Sequence, residues 1–159
     1  MVSMGLAQAG SIRVSNAFGT KNWPKISLIG KSTLVTAFIY GMFCAIMFVM
    51  FRHQLPEAFT KNSEVKVMAA LLLLFAAIFQ ISDSTQAIGA GLLRGIKDVK
   101  TPTVLIGIAY WVIGIPVGYF LAFQLNMGAP GMWTGLILGL TVASLFLLTR
   151  FLRMAKRNT

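Results

Sequence analysis

Between Ala69 and Leu93 the chain reads AALLLLFAAIFQISDSTQAIGAGLL, an apolar run holding one ionisable side chain, Asp83. About 20 such residues suffice to cross a hydrocarbon layer of about 30 Å. A helix apolar on every side must be buried in protein or in lipid. Four acidic residues exist in the sequence, and Asp83 is the only one placed inside an apolar run. A carboxylate at membrane depth is costly, so it marks either a functional site or a structural pairing with another helix.

Further apolar runs flank this one, and the spans fall at about 1–19, 28–51, 66–93, 104–125 and 132–151. The first is weak and rich in Gly, Ala and Ser. It reads as the second half of a helix whose beginning lies outside the sequence, ending near Asn16–Gly19. Pro24 breaks the chain between the first two spans, and Asn62 or Ser63 can cap the third, with Glu64 in its first turn. Thr101 is placed as the cap of the fourth, with Pro102 at its first helical position. Hydrophobic residues make up 57% of the 159 and charged ones 11%, at a mean hydropathy of +0.77. Soluble domains carry about 25% charged residues. The expected fold class is therefore all-α, a polytopic membrane helical bundle forming one transmembrane domain over 1–159.

The net charge of +10 is concentrated at helix ends. Segment 20–31 holds three lysines, 94–100 a net two positive charges, and 150–157 four; the segments on the other side, 52–66 and 126–131, are nearly balanced or uncharged. This alternation is the positive-inside pattern, and it places the C-terminus in the cytoplasm of a multi-pass plasma-membrane protein. It also accounts for the charge better than nucleic-acid binding does, because the aromatic residues lie in apolar runs rather than among the cations. One cysteine, Cys44, and one histidine, His53, leave no disulfide, no CxxC site and no histidine-based triad. An enzyme is not expected, and no cofactor beyond a coupling ion.

Asp83 shares a helix face with Phe79 and Gln80 one turn before it and with Gln86 one turn after. A carboxylate flanked by amides can take up a proton or a small hard cation such as Na+ through oxygen ligands, which makes Asp83, Gln86 and Gln80 the candidate cation-coupling set. Pro116, between Gly114 and Gly118, removes a helical hydrogen bond; it is a candidate kink, in a setting where Pro and Gly are also commonplace. Tyr110, Trp111, Tyr119 and Trp133 can form an aromatic wall for organic cations or an interfacial belt. Two motifs are set aside. Gly89, Gly91 and Gly95 lack GxGxxG spacing and follow a helix, so they read as helix packing. Gly30–Lys31–Ser32–Thr33 imitates a P-loop, but the required first glycine falls on Lys25.

Taken together, FQISDSTQAIGAGLLRGIKDVKTPT, AYWVIGIPVGYFLAF and MGAPGMWTGLILGLTVASLFLLTR occur in an order and spacing that resemble the NorM-like branch of the multidrug and toxic compound extrusion (MATE) family. The opening GLAQAGSIRVSNAFG is similar to that family's eighth helix. The resemblance covers essentially the whole chain and implies helices eight to twelve of a twelve-helix antiporter that exchanges Na+ or H+ for organic cations. It implies a coupling role for Asp83, and the candidate residues of the substrate cavity are Phe79, Tyr110 and Tyr119. Some relatives carry tyrosine where Phe79 stands, which removes one hydroxyl ligand here. The partners so implied are the lipid bilayer, small organic cations and, if another polypeptide supplies it, the missing N-terminal lobe. Two other functions fit the same residues: a lipid-linked flippase of the same superfamily, and a non-transporting truncated membrane protein or interaction subunit.

Overall fold

The computed structural model describes residues 2–157, all of whose regular elements are helices. They are α1 (Val2–Gly19), α2 (Trp23–Phe51), a short α3 (Gln54–Phe59), α4 (Ser63–Gly95), α5 (Lys100–Gln124) and α6 (Ala129–Arg157). Four of these are long and apolar enough to cross a membrane: α2, α4, α5 and α6. The chain is an integral membrane protein by that measure. At 1.5 Å per residue the 33 residues of α4 extend about 50 Å, so α4 tilts or protrudes.

Helix starts follow local chemistry, with three departures from expectation. Pro24 opens a helix rather than breaking one: Asn22 accepts a hydrogen bond from the Lys25 N–H at 3.0 Å, and α2 begins at Trp23. Proline in a first turn costs nothing, because its missing N–H would have no partner there. Thr101 does not cap α5, which starts at Lys100; its hydroxyl instead accepts from Arg150 Nη2 at 3.1 Å. The loop after α2 contains the α3 turn. Asn62 does cap α4, accepting from the Glu64 N–H at 3.0 Å.

The buried core sits at one end of the bundle. There Val14 of α1, Ile26 and Ile29 of α2, Ile88, Leu92 and Leu93 of α4, and Leu147 and Phe151 of α6 close on one another. The turns at 20–22 and 96–99 and the basic tail of α6 belong to this end. Elsewhere many large apolar side chains face outward, as with Phe43, Met50, Trp111 and Phe123, although Leu140 is fully buried. Lipid is as apolar as a protein interior, so this outward face carries no penalty.

Small residues decide how closely the helices approach. A β-carbon on Gly91 would stand 2.6 Å from the Ala7 carbonyl oxygen, and one on Gly95 2.7 Å from that of Ser11. Two of the glycines that faintly suggested a nucleotide fingerprint, Gly91 and Gly95, are thus the contact between α4 and α1, while Gly89 faces Leu147 of α6. The P-loop look-alike is equally structural, since the Ser32 and Thr33 hydroxyls both donate back to the Ile29 carbonyl, at 2.9 and 2.8 Å.

Within α5 the helix widens twice, over Ala109–Gly114 and Phe120–Gln124, where hydrogen bonds reach back five residues. The Ile115 N–H bonds to Tyr110 rather than to Trp111. Pro116 follows directly, and a wider turn relieves the clash its ring would make with the carbonyl four residues earlier.

At the core end, Arg150 Nε donates to Asp98 Oδ2 and ties the α4–α5 turn to α6. Asp98 is well covered and Arg150 about a third exposed, at 13% and 37% side-chain accessibility. Asp98→Ala is expected to cost about 1–2 kcal/mol, and a double-mutant cycle with Arg150→Gln should return about 1 kcal/mol of coupling. Additive losses would show that the pair contributes nothing.

Candidate functional site

The polar stretch QISDSTQ wraps around α4, and its side chains go to different places. Ser84 is fully buried and donates to the Gln80 carbonyl at 2.9 Å; Thr85 donates to Ile81 at 2.8 Å. Ser82 reaches across to α6, where its hydroxyl and that of Thr141 are 3.0 Å apart. Each of these hydroxyls therefore has a partner without help from water. Asp83 and Gln86 are the exceptions: both open onto a cavity of about 430 Å³ between α1 and α4.

The rest of that cavity is part polar. Ser3, Gln8 and Ser11 face it from α1, Arg94 from further along α4, and Ile106 from α5. Eleven residues, about 16 Å of helix, separate Asp83 from Arg94, too far for a direct ion pair. Among the described residues, no hydrogen bond or ion pair engages the Asp83 carboxylate, and no group of three or more His, Cys, Asp or Glu side chains gathers. A hard cation here would be held by one carboxylate together with neutral oxygens such as that of Gln86.

The structure places the other expected site residues as follows. Tyr110 lies within electrostatic reach of Asp83. Phe79 packs edge-on against Trp133, with ring centroids 5.8 Å apart, so these two rings form an α4–α6 contact. Gln80 is half-buried and does not line the Asp83 cavity. Tyr119 faces outward at 56% exposure and packs on Phe123 at 4.8 Å, while Trp111 is 74% exposed. Among the described residues, Phe79 thus meets Trp133 across α4 and α6, while Tyr119 and Trp111 point outward from α5. The charges and amides of α4 carried the signal for Asp83 and Gln86. The contribution of α1 was missed, although Ser3, Gln8 and Ser11 lie on one side of it. Thr141, too, was legible only as a polar residue in an apolar run.

The Ser82–Thr141 bond is open to a simple test. Ser82→Ala is expected to lower stability by about 0.6 kcal/mol, the usual worth of a hydroxyl pair between membrane helices. Thr141→Val should add little to the loss in the same detergent melt.

Comparison with known proteins decides the family. The MatE family model matches residues 1–120. The chain belongs to the MatE family. Among curated MatE relatives, the probable multidrug resistance protein NorM of Acinetobacter baylyi is 42% identical over 154 residues, 96% of this chain and 34% of that protein. The multidrug resistance protein MdtK of Proteus mirabilis is 37% identical over 94% of this chain and 34% of its own length. The chain thus spans about a third of the relatives it matches. The fold agrees as well. The eukaryotic MATE transporter AtDTX14 superposes with a TM-score of 0.87 at 22% identity, over 99% of this chain and 36% of its own. An outward-facing MATE transporter of the MOP superfamily gives 0.88 at 18% identity, over 98% and 35%. The five long helices form a partial lobe of a MatE protein.

Proposed function

We propose that this chain is the C-terminal part of a cation-coupled multidrug efflux antiporter, in which Asp83 takes up Na+ or H+ and thereby drives release of an organic cation. The observation that carries the reading is the opening of Asp83 and Gln86 onto one cavity in a chain whose curated relatives are named for multidrug resistance. A single carboxylate at that depth can be neutralised by a proton, by Na+ or by a cationic substrate. Because these compete for one negative charge, binding of one weakens the other by the same factor, and that reciprocity is what exchange requires. Gln86 supplies a neutral oxygen beside the carboxylate, and Tyr110 an aromatic hydroxyl nearby. Pro116, in the widened α5, offers a place where that helix can bend.

The basic end of the bundle, with the turns at 20–22 and 96–99 and the α6 tail, faces the cytoplasm in this reading. Asp83 then lies near the midplane, with Arg94 toward the cytoplasmic mouth of the cavity. Alternating access needs a second set of helices moving against this one. A chimera in which this chain replaces the matching third of the Acinetobacter baylyi relative is expected to restore efflux of an ethidium-like dye to cells lacking their own pumps. The 159-residue chain by itself is expected not to. Dye efflux by the chain alone, or none by a well-inserted chimera, would overturn the proposal.

A further inference from the structure

Two turns at the basic end close in the same unusual way. In the first, the Lys21 N–H bonds to the Phe18 carbonyl and the Asn22 N–H to that of Ala17, both at 3.0 Å. In the second, the Lys97 N–H bonds to the Arg94 carbonyl and the Asp98 N–H to that of Leu93, again both at 3.0 Å. Each is the double-bonded helix terminus whose pivot residue takes a left-handed backbone, a position normally given to glycine. Here both pivots are lysines, at φ 53° for Lys21 and 63° for Lys97. A β-carbon is strained in that conformation, so glycine would close either turn more easily. The backbone gives no reason for lysine at either place.

The two side chains share a surroundings instead. Lys21 and Lys97 line one cavity of about 620 Å³, with Ser15, Phe18, Gly19 and Trp23 as the other walls. Phe18 and Trp23 meet edge to face with centroids 5.7 Å apart. No acidic residue lines it: Asp98, next to Lys97 in sequence, is engaged by Arg150. Among the described residues, neither lysine has a carboxylate partner. A local rule broken twice, around one cavity, is the pattern expected of a binding site.

We infer that this cavity binds the phosphate of an anionic phospholipid headgroup, with Lys21 and Lys97 as its cationic ligands. Basic pockets between membrane helices on the cytoplasmic side suit such headgroups. Trp23 offers the amphipathic ring that sits at headgroup depth, and with Phe18 it forms an apolar wall for the glycerol-ester region. A free phosphate ion shares the charge of the ligand but has no use for that wall.

The test is native mass spectrometry of the purified 159-residue chain in neutral detergent, titrated with phosphatidylglycerol, phosphatidylcholine or inorganic phosphate. Phosphatidylglycerol is expected to bind in preference to phosphatidylcholine, and the double variant Lys21→Gly/Lys97→Gly to lose about tenfold or more in its affinity. Glycine suits both backbones, so the variant should melt no lower than the parent, and Lys21→Arg/Lys97→Arg should retain binding. Lys25→Gln/Lys31→Gln removes as many charges from the same end but outside the cavity, and should also retain it. Three results would overturn the assignment: unchanged binding in the glycine variant, equal loss in the Lys25/Lys31 variant, or inorganic phosphate binding as tightly as the lipid.

Discussion

Asp83→Asn, placed in the full-length chimera with the Acinetobacter baylyi relative, is expected to lower dye efflux about tenfold or more while leaving membrane insertion intact. The size follows from the coupling that exchange demands: a factor of ten in affinity between two sites or two ligands is about 1.4 kcal/mol, within the usual range for linked binding. Asparagine is nearly the same shape as aspartate and keeps a carbonyl oxygen. It loses only the charge and the ability to take a proton. Nothing in the fold depends on that charge, since no described residue pairs with Asp83. Stability should therefore hold, or rise slightly, because a polar amide costs less at that depth than a carboxylate. Asp83→Glu should retain part of the efflux, because the cavity of about 430 Å³ has room for one more methylene. The readings are dye accumulation in whole cells and the amount of inserted protein. Efflux by the Asn variant at parental level would remove Asp83 from the mechanism.

Gly135→Ala is expected to be the most damaging conservative change to the fold. A β-carbon there would overlap the backbone N and Cα of Gly118 and stand 2.6 Å from the Gly114 carbonyl oxygen. These are main-chain atoms of α5, so no side chain can rotate away, and the α5–α6 crossing must open. Overpacking of this kind typically costs about 1–3 kcal/mol, and a backbone clash belongs at the upper end. Gly107→Ala is the contrast, being a helical glycine with nothing within 4 Å of the added carbon. That change should stabilise by about 0.5–1 kcal/mol, because alanine has less backbone freedom to lose. Thermal unfolding in detergent, read by size-exclusion fluorescence, separates the two. A Gly135→Ala protein that melts with the parent would show that the two helices do not meet as described.

The architecture was largely legible because lipid simplifies the code. Apolar runs of span length must be helices, and their number and order follow from the pattern alone. Cation counts gave the alternation of turns. Boundaries were less legible where two roles suit one residue: Pro24 can end a helix or begin one, and the Asn22 side chain, bonding to Lys25, decides for a beginning. Thr101 has the chemistry of a cap, yet Arg150, forty-nine positions away, claims its hydroxyl. No local pattern encodes that contact.

For the site, the lone carboxylate was the clearest signal in the sequence. The direction in which each neighbour points was not. QISDSTQ looks uniformly polar, but helical rotation sends Ser82 to α6, Ser84 into its own backbone and only Asp83 and Gln86 to the cavity. The aromatic residues show the same limit: Tyr110 and Trp111 are adjacent in sequence, yet Tyr110 is half-buried within electrostatic reach of Asp83 and Trp111 faces outward. The lysines at 21 and 97 counted only as topology signals, since their left-handed backbones have no signature in composition.

The most direct test of the coupling role is transport in sealed proteoliposomes holding the chimera and an organic cation, with an inward gradient of Na+ or of H+ imposed in separate runs. The parent is expected to expel the cation faster under at least one gradient, and Asp83→Asn to respond to neither. An Asn variant that still accelerates under the gradient that drives the parent would contradict the assignment of Asp83 as the coupling carboxylate.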